Sequence, residues 1–131
     1  MKINIVIIDD HKLVVQSYLQ HFEGHEEVTI IQTFSDTAAV MQLLPVIKNQ
    51  VHVVLLDLKQ RKKKGQDLIP YIQTLAPHLK ILILSTYNDH ATVAQCKFLG
   101  ADGYMVKDCS YTELVQAICK IAQNEEVWPA D

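Results

Sequence analysis

The sequence predicts a doubly wound α/β sandwich, in which helices cover both faces of a central five-stranded parallel sheet. Short apolar runs rich in Val, Ile and Leu alternate with segments whose apolar residues recur at helical spacing. This alternation repeats five times along the chain, which is typical of a doubly wound fold. The strand-like runs are apolar almost throughout, as expected for parallel strands that are buried on both faces.

The elements follow one another in a regular order. We predict strands at Ile3–Ile8, Val28–Gln32, His52–Leu56, Lys80–Leu84 and Gly103–Val106. We predict helices near Lys12–Phe22, Asp36–Leu44, Gln66–Leu75, His90–Leu99 and Tyr111–Gln123. The last helix is the clearest, because its apolar residues form one stripe and either Ser110 or Thr112 can cap its N-terminus.

Composition limits the classes of protein to which the chain can belong. The 131 residues are 49% hydrophobic, which suits one domain with a substantial core. We see no membrane-spanning run and no signal peptide, and three cysteines without a metal-like or redox-like pairing favour the cytoplasm.

Five of the twelve Lys and Arg residues lie in one run, KQRKKK at 59–64, whereas all fifteen acids lie elsewhere. The rest of the chain is therefore acidic, which argues against a general nucleic-acid-binding surface.

Polar side chains follow four of the five predicted strands. In a doubly wound sheet, ligands bind outside the carboxyl ends of the strands. We therefore expect three acids, two hydroxyls and an ammonium group to converge on one rim: Asp9, Asp10, Asp57, Ser85, Thr86 and Lys107. A single acid at such a position is adequately explained as a helix N-cap. His11 could contact the site, but we assign it to the start of the first helix. The whole set in order indicates a site.

Crowded carboxylates repel one another, and a divalent cation can relieve that repulsion. Ligation by oxygen atoms alone favours Mg²⁺, which can also offset charge during phosphoryl transfer. One carboxylate would remain free to act as a nucleophile and form an aspartyl phosphate. Asp57 is the best candidate, because it is a single acid on a central strand.

Four motifs resemble those of a response-regulator receiver domain: IIDD at 7–10, LLDL at 55–58, LST at 84–86 and GADGYMVKD at 100–108. The resemblance covers essentially the whole chain and is greatest to the LuxR/NarL-type regulators. It implies a flavodoxin-like (βα)5 fold with strand order 2-1-3-4-5.

The resemblance also implies roles for individual residues. Asp57 would accept a phosphoryl group from a phosphohistidine on a sensor histidine kinase or a phosphotransfer protein. Asp9 and Asp10 would hold Mg²⁺ together with Asp57 and the backbone carbonyl of Lys59.

The remaining implied roles concern the switch between inactive and active states. Ser85, with Thr86 beside it, takes the position of the switch hydroxyl, and Tyr104 takes that of the switch aromatic residue. Lys107 would pair with the phosphoryl group. In the family, the hydroxyl moves toward the phosphate and the aromatic ring turns inward, which remodels the face of the fourth helix, fifth strand and fifth helix.

The chain departs from the family pattern at two places. Gln60 and Arg61 stand where Met-Pro is usual, within the basic run at 59–64. That run is either a solvated loop or a set of cations that tunes the pocket. Asp108 follows Lys107 where many receivers have proline, so we expect no cis peptide there.

We assign residues 1–123 to the receiver domain and 124–131 to the start of a linker to a helix-turn-helix output domain, through which the protein would act on DNA and control transcription. Homodimerisation on phosphorylation is a further option, and no membrane contact is expected. A single-domain regulator and a phosphorylation-independent pseudo-receiver remain alternatives. A Mg²⁺-dependent phosphohydrolase of the aspartyl-phosphate type is disfavoured, because Lys59 stands where those enzymes carry an acid.

Overall fold

The computed structural model describes residues 2–58 and 67–130 and confirms the predicted sandwich. Five parallel strands form one sheet in the order β2-β1-β3-β4-β5. The strands are β1 (Ile3–Ile8), β2 (Val28–Phe34), β3 (Val53–Leu58), β4 (Lys80–Ser85) and β5 (Gly103–Val106). The helices are α1 (Lys12–Phe22), α2 (Thr37–Ile47), α3 (Leu68–Leu75), α4 (His90–Leu99) and α5 (Tyr111–Ala122), and a 3₁₀ helix, Lys48–Gln50, follows α2.

Each central strand buries side chains on both faces of the sheet. On one face Val6, Val54 and Ile81 pack in a cluster with residues of α2, α3 and α4. On the other face Ile5 and Val53 pack with residues of α1 and α5. Fully burying one such side chain contributes about 1.5–3 kcal/mol, so both faces stabilise the fold. This explains why the strands are apolar in sequence rather than alternating.

Several boundaries differ from the predicted ones. Strands β2 and β3 each continue two residues further than predicted, which places Asp57 inside β3 rather than after it. Helix α2 continues past Pro45, because the missing proline N–H removes only one backbone hydrogen bond and Leu44 remains anchored in the core. The predicted start of α3 at Gln66 lies outside the described residues. Ser110, not Thr112, caps α5 and forms a capping box with Glu113.

The strand order sets the position of the functional rim. Strand β1 lies between β2 and β3, so the chain leaves the carboxyl end of β1 toward one side and that of β3 toward the other. This divergence is the topological switch point, where a crevice opens. The helices on either side are short, and in residues 2–58 and 67–130 none is both long and apolar enough to cross a membrane.

The burial of Cys96 predicts slow chemical modification. Cys96 lies on the buried face of α4, and its side chain is fully buried. This burial, with a smaller contribution from Asp89, raises the pKa of its thiol to about 11. At pH 8 little thiolate forms, so we expect iodoacetamide to alkylate Cys96 at least about tenfold more slowly than Cys109 or Cys119, which are partly exposed. Peptide mapping by mass spectrometry measures the three rates, and in urea they should converge. Equal rates in the native protein would contradict this packing.

Candidate functional site

Two buried carboxylates and one ammonium group form the centre of the rim. The register pairs Ile8 with Leu56, so the next residues along the two strands, Asp9 and Asp57, are neighbours. Their side chains are 1% and 5% exposed. The Nζ atom of Lys107 lies 2.7 Å from Oδ1 of Asp57 and 3.3 Å from Oδ2 of Asp9. One lysine from the end of β5 therefore joins acids from two central strands.

The backbone fixes Lys107 in this position. Its N–H donates a hydrogen bond to the carbonyl oxygen of Ser85, 2.8 Å away, just beyond the last paired residues of β4 and β5. Only the side chain then has to cross the width of β4 to reach Asp57. The peptide bond between Lys107 and Asp108 is trans, as expected.

His11 joins the acidic cluster, which the sequence allowed only as an alternative to its place at the start of α1. It is the N-cap residue of that helix, and its Nδ1 atom lies 3.0 Å from Asp9, 3.7 Å from Asp10 and 3.5 Å from Asp57. Its backbone N–H also donates to Oδ1 of Asp9, at 2.9 Å. Its place directly after the acid pair was the one sequence signal that could have identified it.

The electrostatics of the cluster favour an added cation. Burial raises the pKa of Asp57 above its usual value, and the charge of Asp9 adds to the shift, whereas the hydrogen bond from Lys107 opposes it. The lysine therefore offsets only part of the cost of two buried negative charges.

The donor set fits a metal ion. Asp9, Asp10, His11 and Asp57 each offer one ligand atom, and these atoms all lie within 4.8 Å of one another. Three of the four are carboxylates, which suits a hard divalent cation such as Mg²⁺. The carbonyl of Lys59, the remaining ligand that the family resemblance implies, lies outside the described residues, as does the basic run at 59–64.

The two predicted switch residues are buried and share one hydrogen-bonded neighbour. Ser85 is 0% exposed, and its Oγ accepts a hydrogen bond from the backbone N–H of Tyr87 at 3.1 Å. Tyr104 is 1% exposed, and its hydroxyl donates to the backbone carbonyl oxygen of Tyr87 at 2.5 Å. Thr86, in contrast, is exposed on the rim. The ring of Tyr104 thus points inward in this structure.

Comparison with known proteins identifies the family. A family model described as the response regulator receiver domain matches residues 5–119. This chain belongs to that family. The rim described above lies at the carboxyl ends of the strands of this receiver domain.

Curated relatives of this receiver domain are longer than the chain. The transcriptional regulatory protein RcsB of Escherichia coli K12 is 30% identical over 129 residues, which cover 96% of this chain and 59% of the relative. The chain thus spans about three fifths of the length of this relative.

Solved receiver domains have the same fold. The isolated receiver domain of RcsB from Salmonella enterica serovar Typhimurium, in its apo form, superposes with a TM-score of 0.85 at 29% identity, covering 98% of this chain and 93% of that one. The receiver domain of the response regulator NarL from Mycobacterium tuberculosis gives a TM-score of 0.83 at 25% identity, covering 95% of this chain and 98% of that one.

Removal of the Lys107 charge should destabilise the domain. In Lys107→Met, Asp9 and Asp57 would lose the ammonium group that both contact, and breaking a buried ion pair costs about 3–5 kcal/mol. We expect a loss near the lower end of that range, because Lys107 is 18% exposed. Urea denaturation at neutral pH measures it.

Two variants make the lysine test specific. Lys120→Met removes a similar charge from the exposed face of α5 and should change the free energy of unfolding by less than about 0.5 kcal/mol. The double variant Lys107→Met/Asp57→Asn should recover part of the loss, because it also removes one of the two repelling charges. If Lys107→Met lost no more stability than Lys120→Met, the buried ion pair would not support the rim.

Proposed function

We propose that this receiver domain is a phosphorylation-controlled switch that accepts a phosphoryl group on Asp57 from a phosphohistidine of a sensor kinase or a phosphotransfer protein. The observation that carries the proposal is the 2.7 Å contact between Lys107 and Asp57, on a rim where Asp9 lies beside them. This arrangement combines a nucleophile, a cation for the phosphoryl oxygens and an acidic cluster for a metal.

The transfer is a displacement at phosphorus. An oxygen of Asp57 forms a bond to phosphorus as the bond between phosphorus and the imidazole nitrogen of the donor breaks, and the donor imidazole leaves with that electron pair. The ammonium of Lys107 then pairs with a phosphoryl oxygen through a charge-assisted hydrogen bond. Because Asp57 is 5% exposed, little water surrounds the carboxylate that must attack.

Asp9, Asp10 and Asp57 would hold Mg²⁺, with His11 beside the ion. A bound Mg²⁺ offsets negative charge on the phosphoryl oxygens and on the acids that face them. We propose the carbonyl of Lys59 as a further ligand on the strength of the family resemblance. The carboxylates would hold the ion, and Lys107, which contacts both Asp57 and Asp9, would neutralise part of their charge.

Phosphorylation would act on Ser85 and Tyr104, which both already form a hydrogen bond with the backbone of Tyr87. Movement of the Ser85 hydroxyl toward the phosphoryl group would draw it away from the N–H of Tyr87, whose carbonyl holds the hydroxyl of Tyr104. Because the ring of Tyr104 already points inward and its hydroxyl is bonded to Tyr87, phosphorylation would stabilise this inward position rather than create it. A few charge-assisted bonds would thus bias an existing two-state equilibrium.

We propose control of transcription as the output, because the curated relative is a transcriptional regulator of which this chain spans 59%. A solved structure shows two RcsB dimers bound to two parallel DNAs. By analogy, this domain would form a homodimer on phosphorylation and act on DNA through a further domain attached by a linker that begins within residues 124–131. The kinase partner and the free thiols of Cys96, Cys109 and Cys119 both favour a cytoplasmic location.

Acetyl phosphate tests the phosphoacceptor directly. Incubation with acetyl phosphate and Mg²⁺ should add one phosphate-sized increment to the intact mass, and Asp57→Asn should abolish it. Asp108→Asn is a matched control, because this acid is exposed beside Lys107 and should not accept the group. An increment that persists in Asp57→Asn would show that another residue is the acceptor, and a protein that never gains it would be a pseudo-receiver. Steady hydrolysis of added phosphate esters would instead indicate a phosphohydrolase.

Magnesium binding should be measurable as thermal stabilisation. A ligand at one hundred times its dissociation constant stabilises the native state by about 2.7 kcal/mol, so Mg²⁺ should raise the unfolding temperature. Asp10→Asn removes one carboxylate from the cluster and should weaken Mg²⁺ binding about tenfold, which corresponds to about 1.4 kcal/mol. Asp108→Asn should titrate like the wild type. If Asp10→Asn and the wild type gave the same midpoint, Asp10 would not be a ligand.

A further inference from the structure

A basic cleft lies at the amino ends of the strands, at the opposite end of the sheet from the rim. It has a volume of about 280 Å³, and five polar side chains line it: Lys2, His52, His78, Lys80 and Asn124. None of the described residues that line this cleft is acidic. Strand β4 runs from Lys80 at the cleft to Ser85 at the rim, which separates the two by about 16 Å at 3.3 Å per residue.

Backbone hydrogen bonds between strands bring the basic residues together. The N–H of His52 donates to the carbonyl oxygen of Asn4 at 2.8 Å, and the N–H of Lys80 donates to the carbonyl oxygen of His52 at 3.1 Å. Lys2 directly precedes β1, His52 directly precedes β3, and Lys80 begins β4. Three adjacent strands therefore each start with a basic residue at the same end of the sheet.

Hydrogen bonds orient the two histidine rings of the cleft. Nδ1 of His52 accepts from the backbone N–H of Asn4 at 2.8 Å, so the ring proton of His52 lies on Nε2. Among residues 2–58 and 67–130 no acceptor is bonded to this Nε2, which leaves its N–H able to donate to a ligand. Nε2 of His78 donates to the carbonyl oxygen of Lys48 at 2.9 Å, which holds this ring as a wall of the cleft.

The two lysines of the cleft have no counterion in the part of the chain that the structure describes. Neither Lys2 nor Lys80 forms an ion pair there. Burial raises the pKa of Asp102, and the hydrogen bond from the N–H of Ile81 and the charge of Lys80 only partly oppose that shift. The last carbonyl groups of α5, which would also attract cations, already accept hydrogen bonds from the backbone of residues 123–125. The positive charge of the cleft is therefore not balanced within these residues.

Apolar side chains form the remainder of the lining, namely Ile3, Val51 and Ala122. An inorganic anion would leave these side chains in contact with water, whereas an apolar group on the ligand would cover them. The cleft is slightly smaller than the usual range for small-molecule sites, which is about 300–1,000 Å³. Its size therefore suits a small organic anion rather than a peptide or a nucleic acid.

We propose that this cleft binds a small organic phosphate, whose phosphate group lies between Lys2 and Lys80. The two ammonium groups match the charge of a phosphate dianion through charge-assisted hydrogen bonds. The N–H of His52 and the side-chain amide of Asn124 can donate to the remaining oxygen atoms. The organic part of the ligand covers the apolar lining. No phosphoryl group is transferred at this site, and the inference does not depend on the function proposed for Asp57.

Phenyl phosphate is a suitable probe, added in the presence of EDTA so that no metal ion mediates binding at the rim. The NMR signals of the ring C–H groups of His52 and His78 should shift with rising probe concentration and reach saturation. His11 is an internal control, because it lies in the acidic cluster at the other end of the sheet and its signals should not move. Shifts that do not saturate, or shifts of His11 without those of His52 and His78, would overturn the proposal.

Removal of both lysine charges tests the phosphate position. Lys2→Gln/Lys80→Gln should weaken binding of phenyl phosphate at least tenfold, measured by the same titration on protein whose thermal transition shows that it is folded. Lys12→Gln/Lys97→Gln is the matched control, because it changes the net charge equally at two exposed lysines that do not line the cleft. Its affinity should stay within twofold of that of the wild type. Equal weakening in the two double variants would indicate only a general electrostatic attraction and would refute the site.

Two further probes test the chemical class of the ligand. Inorganic phosphate should bind at least threefold more weakly than phenyl phosphate, because it leaves the apolar lining uncovered. Benzyl alcohol, which has the ring but no charge, should cause no saturable shift of His52 or His78. Equal affinities for the two phosphates would overturn the assignment of an organic ligand, and benzyl alcohol binding as tightly as phenyl phosphate would overturn the role of the lysines.

Discussion

The ammonium of Lys107 between the carboxylates of Asp9 and Asp57 is the interaction on which the rim depends. Two buried acids on adjacent strands would repel each other strongly in a medium of low dielectric constant. The lysine lowers that cost, but the raised pKa of Asp57 shows that burial and the charge of Asp9 together outweigh it. The rim is thus held together while retaining affinity for further positive charge. This balance would suit the proposed binding and release of a metal ion and a phosphoryl group.

The parallel sheet produces this geometry with little distortion of local structure. Register between β1 and β3 makes Asp9 and Asp57 neighbours, and the bond from Lys107 to the Ser85 carbonyl aligns the far strand. The strands beneath are apolar on both faces, so the polar residues of the site lie at or just beyond the carboxyl ends of the strands. The candidate site lies at this rim because the apolar core of the sheet ends there, so charged side chains on the strands can approach water.

Most of the fold was predictable, because buried parallel strands and amphipathic helices have distinct periodicities. The proximity of the acids to Lys107 was also predictable, because all of these residues were expected at the carboxyl ends of parallel strands. Whether His11 contacts the three acids could not be decided from the sequence, because it depends on how the loop before α1 turns. The exposure of Thr86 and the packing of Trp128 likewise depend on tertiary contacts that no local pattern encodes. Helix α2 passes Pro45 because burial of its apolar face outweighs one lost hydrogen bond.

The position of β1 in the sheet has a consequence for how the chain acquires its structure. One neighbour, β2, follows it after a single helix, but the other neighbour is β3, whose first residue is Val53. Closing that longer loop costs chain entropy before any pairing rewards it, as is general for parallel strands. A nascent chain emerging from the ribosome would therefore hold the largely aliphatic edge of β1 unpaired until β3 has been synthesised, and self-association is favoured during that interval.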